Sequence, residues 1–116
     1  MNPTPRFMNG VFAFEGRGLA HPGPLDPSTT YTVPSDKRAQ FIYLRGGNSS
    51  AELIYLVVLR NGKALRYFPV GAKASVHVSL AVVEDIFPES KLEVHLAAPA
   101  GTSGTLVLDI GLLELD

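Results

Sequence analysis

Leu53-Ile54-Tyr55-Leu56-Val57-Val58-Leu59-Arg60-Asn61-Gly62-Lys63-Ala64-Leu65-Arg66-Tyr67-Phe68-Pro69-Val70 is the stretch whose reading decides the fold. Its first seven residues are apolar without interruption, and Asn61-Gly62 is the dipeptide best suited to a two-residue type I′ turn, in which both central positions need φ > 0. The chain returns through Ala64, Leu65, Tyr67, Phe68 and Val70, so the stretch reads as an antiparallel hairpin. An unbroken apolar strand offers side chains to both faces of its sheet, whereas an alternating strand offers them to one. The first arm therefore fixes a fold class and leaves a face to be covered.

Composition agrees with many short strands. The chain has 116 residues, 46% of them hydrophobic, with 11 Gly and 9 Pro. This is the size of one domain that can bury a core without staples, and so many turn formers disfavour long helices. Cysteine is absent, which excludes disulfides, thiolate metal sites and a cysteine nucleophile. Met1-Asn2-Pro3-Thr4-Pro5-Arg6-Phe7 lacks the apolar centre of a signal peptide, and no run approaches a membrane span. A cytoplasmic protein that binds no membrane is expected.

Outward from the hairpin, strands are expected over Gly10–Glu15, Thr29–Val33, Arg38–Leu44, Ala74–Leu80, Lys91–Ala97 and Thr105–Leu115. Residues 1–9 read as a flexible arm and 10–116 as one domain. The stretch from Gly16 to Ser28 has too many breakers for a helix and reads as an extended loop. Ser79 is placed to cap a helical turn carrying Val82, Val83 and Ile86, and Gly111 marks a bulge within the last strand. About eight strands with one helical turn predict an all-β, antiparallel β-sandwich of jelly-roll type, ahead of a small β-barrel. The long aliphatic last strand, preceded by a short helical turn and late strands, resembles carbohydrate-binding and galactose-binding-like sandwiches. The chain departs from these in having no Trp to stack on a sugar.

Charge is uneven along the chain, although the net value is −1. Seven basic residues against two acidic ones leave +5 between Asp36 and Lys73, and one against seven leaves −6 from Ala74 onward. Two such poles form complementary faces if they stay apart and cancel if the strands interleave. The negative total lacks the footprint of a nucleic-acid binder, despite the Arg66-Tyr67-Phe68 interleave.

Candidate sites follow from residue type and spacing. His77 and His95 fall on the outward phase of two strands and would hold a metal, with Glu93 or His21, if those strands paired in register. Glu84-Asp85 is a carboxylate pair, but adjacent residues in a turn do not face one another across a cleft. Arg45-Gly46-Gly47-Asn48 suggests a glycine-rich anion cradle that Arg60 or Arg66 would complete, within ligand loops 45–50 and 66–73. No cofactor motif is present, and no Gly-x-Ser-x-Gly elbow frames a serine. The surplus apolar face of the hairpin is assigned to Ile54, Leu56 and Val58. Large contiguous apolar patches are rarely left open, so this face points to a homo-oligomer, a dimer or higher, or to a protein partner. The chain therefore reads first as a non-catalytic, self-associating interaction module. A carbohydrate or anion binder ranks second, and a small metal-dependent enzyme third.

Overall fold

The hairpin forms as its sequence dictates. In the computed structural model, which describes residues 3–116, Asn61 and Gly62 have φ of 51° and 81°, and Arg60 pairs with Lys63 across them. The Asn61 side chain also accepts the Lys91 N–H at 2.9 Å, docking the turn on the neighbouring strand.

Ten strands fall into two antiparallel sheets: β1 Thr4–Glu15, β2 Gly23–Pro24, β3 Thr30–Thr32, β4 Arg38–Asn48, β5 Ile54–Arg60, β6 Lys63–Val70, β7 Ser75–Ser79, β8 Asp85–Ile86, β9 Lys91–Ala97 and β10 Ser103–Leu115. The front sheet runs β1-β10-β4-β7, with β8 also on β4. The back sheet runs β2-β9-β5-β6, with β3 also on β9. First and last strands lie side by side, and the chain crosses repeatedly between the sheets, as in a jelly roll. Between them pack Leu44, Ile54, Leu56, Val58, Leu92, Val94, Leu106, Leu108 and Ile110, all essentially removed from water.

Several expectations are corrected. Ile54, Leu56 and Val58 are core, not interface; the outer phase of β5 is Tyr55, Val57 and Leu59. A two-faced apolar run carries no internal mark of which phase points inward. Part of that outer face is covered by the loop after β1, whose Leu19 carbonyl accepts the Tyr55 hydroxyl at 2.7 Å. The arm expected over residues 1–9 is strand from Thr4 onward, paired with β10 throughout. The helical turn expected after Ser79 is replaced by β8, which pairs Ile86 with Ala39 and draws it into the core. A 3₁₀ turn occurs instead at Pro27–Thr29, where the Asp26 carboxylate accepts the Ser28 N–H at 2.9 Å. The two charge poles mix: Arg38 pairs with Asp85, Arg45 with Asp109, Arg60 and Arg66 with Glu84, and Lys37 with Asp116.

One buried carboxylate ties the sandwich together at an end. Glu114, 5% exposed, accepts the Tyr31 hydroxyl at 2.5 Å and Arg6 Nε at 3.1 Å, linking β3 of the back sheet to β1 and β10 of the front. The Tyr31 hydroxyl and then the Arg6 guanidinium hold its carboxyl below the usual range, while burial and Glu114 push the Tyr31 phenol up. A carboxyl depressed in the folded state stabilises above its unfolded pKa, and that contribution is lost as pH falls through the folded one. Glu114→Gln is expected to lose about 2 kcal/mol near neutral pH, the scale of charged hydrogen bonds. It should also flatten the acid limb of stability against pH, as read by urea unfolding from pH 3 to 7.

Candidate functional site

The outer face of the front sheet gathers the polar groups. On β4, Tyr43, Arg45 and Gly47 point outward, and register places Asp109 beside Arg45 on one side and His77 on the other. The Tyr43 hydroxyl donates to Asp109 at 3.2 Å, and the Arg45 guanidinium lies 5.2 Å from the centre of the Tyr43 ring. His77 meets that ring edge-on at 6.3 Å. Partial burial, together with the bond to Asp109, raises the Tyr43 phenol above its usual pKa, so it remains a donor.

Two glycines keep this surface low. A Cβ on Gly111 would sit 2.0 Å from Tyr43 Cε2, so the ring lies over bare backbone. Gly47 adds no side chain between Val107 and Ser75. Together Arg45, Gly47, Ser75, His77, Val107 and Asp109 edge an open depression of about 620 Å³. Beyond it, Val11 pairs with Val107, and both are largely exposed, at 68% and 55%.

The expected cradle is taken apart and partly reused. Gly46, Gly47 and Asn48 belong to β4 rather than a loop, and neither glycine has positive φ, so no backbone nest forms. Asn48 is buried and fully engaged: its amide donates to the Glu52 and Gly71 carbonyls at 2.9 and 3.1 Å, and its oxygen accepts the Ser50 N–H at 2.9 Å. Arg60 and Arg66 lie on the back sheet, bound to Glu84 at 3.5 and 3.1 Å. Only Arg45, Gly46 and Gly47 of that set line the depression.

The histidines do not meet, because His77 is in the front sheet and His95 in the back sheet, beside Val57 and Pro24. Among the described residues, no three His, Asp or Glu side chains gather to hold a metal. The Glu84-Asp85 pair is neutralised by arginines, and Gln40 and then Arg38 lower the Asp85 carboxyl rather than raising it as a general acid requires. Asp109 and Tyr43 were missed as site residues. Their signal was Gly111 in a strand, the mark of a close approach, here by an aromatic ring.

The fold is that of a two-sheet, all-β sandwich. No family model and no curated protein sequence matches the chain. Among solved structures it is similar to the CBM36-1 domain of a multidomain xylanase from the hindgut metagenome of Trinervitermes trinervoides. The TM-score is 0.54 at 13% identity, covering 90% of this chain and 95% of that one. It is also similar to part of the infectious bursal disease virus Gt strain structure, with a TM-score of 0.52 at 10% identity, covering 97% of this chain and 32% of that one. Identities this low carry the architecture and nothing finer.

Gly111→Ala should force Tyr43 off the sheet and cost roughly 1–3 kcal/mol, the usual range for overpacking. In a Tyr43→Ala background that cost should shrink to a fraction, giving a strong coupling energy in a double-mutant cycle of unfolding free energies.

Proposed function

We propose that this chain is a non-catalytic binding module whose ligand is a carbohydrate, held on the outer face of the front sheet at Tyr43, Arg45, His77 and Asp109. One observation carries the reading: an aromatic ring seated over Gly111, a guanidinium, an imidazole and a carboxylate stand together around the patch that Gly47 leaves free of a side chain. Sugar hydroxyls both donate and accept, so a carboxylate and a guanidinium held side by side can engage neighbouring hydroxyls in complementary senses. The exposed Val11 and Val107 beside them suit the C–H face of a sugar ring. A few placed polar groups beside apolar surface are the usual make-up of a small-ligand site. The fold shared with a domain named as a carbohydrate-binding module is consistent with this reading.

Affinity electrophoresis and calorimetry against a panel of soluble neutral and uronic-acid polysaccharides test the proposal. Binding is expected, and Arg45→Ala and Asp109→Ala should each weaken it about tenfold or more, the equivalent of 1.4 kcal/mol. The Arg45 side chain is largely solvent-facing, so its loss should hardly move Tm, while Asp109→Ala, which leaves the Tyr43 hydroxyl without its acceptor, should lower Tm slightly and still fold. Arg60→Ala, on the opposite sheet, should leave binding unchanged. Retention by none of the panel, or equal binding by the Arg45 and Asp109 variants, removes the reading.

A further inference from the structure

We propose that two copies of this chain join edge to edge through β1, in antiparallel register about a two-fold axis at Val11, making one continuous sheet of the two front sheets. Strand β1 is the outermost strand of its sheet, twelve residues long, and among the described residues no other strand pairs with its free side. Which backbone groups face that side follows from the ladder. Gly16, in register one step past β1, donates its N–H to the Thr102 carbonyl at 2.6 Å. Thr105, opposite Ala13, turns the other way: its carbonyl accepts from Ser49 N and its N–H donates to Ser49 Oγ. Bonding alternates along an antiparallel pair, so even-numbered residues of β1 bond to β10 and odd-numbered ones turn their groups to the free edge. Pro5 falls among the odd positions, where its missing N–H costs the ladder nothing.

The other edges of the sandwich are managed along their length, whereas β1 carries proline and charge only at its ends, at Pro5, Arg6 and Glu15. β7 has five residues, β2 and β3 two and three, and β6 carries Lys63, Arg66 and Pro69. Short edges, inserted charges and proline are the ordinary means of blocking strand addition. Phe7–Phe14 of β1 contains no charge and no proline.

A second copy fits this edge because a two-fold about Val11 satisfies both requirements of the ladder at once. Val11 faces Val11 of the other copy, and Asn9 faces Ala13 in both directions. All are odd positions, so each donates and accepts across the axis, and outward side chains stay outward. Charge permits the same register: Arg6 and Glu15 stand opposite Gly16 and Phe7, so no like charges are juxtaposed. On the outer side the exposed Val11 meets its symmetry mate, and Val107 continues the apolar strip one strand further in on each copy. The contact is isologous and closes as a dimer rather than a fibre.

Sedimentation equilibrium of the full chain from about 1 to 100 µM, spanning the range of an ordinary micromolar association, tests this. A monomer–dimer equilibrium is expected. Val11→Pro, which removes one free-edge donor and leaves the β10 ladder intact, and Val11→Lys, which sets like charges on the axis, should each raise the dimer Kd at least about tenfold. Circular dichroism and Tm report whether each variant folds, and Val11→Lys at an exposed site serves if the proline does not. Val107→Lys, one strand in, should weaken the dimer far less. A monomer throughout, an open-ended polymer, a dimer untouched by folded Val11 variants, or equal loss in Val107→Lys (the mark of face stacking) each overturns the proposal.

Discussion

The sandwich depends on how closely its two sheets approach at Gly46. A Cβ there would sit in ordinary van der Waals contact, 3.4 Å from Leu56 Cδ1 and 3.9 Å from Leu106 Cδ1, so the space between Leu56 of the back sheet and β4 is the size of a methyl. Any side chain larger than a methyl would drive Leu56 out and lever the sheets apart, in a core whose density leaves no slack. With Gly46 fixed inward, the two-residue period of a strand sends Arg45 and Gly47 outward. The same contact that closes the core therefore positions the polar row on the opposite face.

That row also needs an irregularity that simple alternation hides. Strict alternation along β4 puts Ala39, Phe41 and Tyr43 on one side and Gln40, Ile42 and Leu44 on the other. Ala39, Phe41 and Leu44 are all buried, which alternation forbids. The register shift beside Gly111 resolves the conflict: Gly111 faces Tyr43, Leu112 faces Phe41, and Ile42 is the extra residue of a bulge. Gly111 announced the irregularity in the sequence, but its location on the partner strand was not legible there. A bulge adds its residue to one strand while its mark stands on the other. Tyr43 reaches the outer face only because of it, and so Tyr43 and Asp109 escaped a reading based on period alone.

Elsewhere, what local chemistry decides was legible and what tertiary packing decides was not. The Asn61-Gly62 turn, the all-β class and the jelly-roll-like layout follow from φ preferences, hydrophobic period and breaker density. The inward phase of β5 does not, because Ile54, Leu56 and Val58 differ in no local respect from Tyr55, Val57 and Leu59. The surplus face found cover partly within the chain: Tyr55 and Tyr67 lean together at 5.7 Å, and the loop after β1 bonds to the Tyr55 hydroxyl. The glycine pair at 46–47 misled for a related reason. Glycine serves nests and close-packed strands alike, and only φ separates the two uses.

The two outer faces consequently differ in what they are free to do. The back face is crowded by a loop, by two tyrosines and by His95, whose Nε2 has no hydrogen-bond partner among the described residues and lies 3.8 Å from Glu93. The front face is built on the three longest strands, β1, β4 and β10, and the residues that line its depression all lie on strands β4, β7 and β10. Long strands make a plane, and a plane fits an extended ligand better than a compact one. Were such planes joined along β1, each row would repeat across the axis, and a polymer reaching both would bind the second at an effective concentration set by the sheet itself. Weak individual contacts on a shallow surface then suffice, because the rigidity of the shared sheet removes the entropy that a flexible linker would lose.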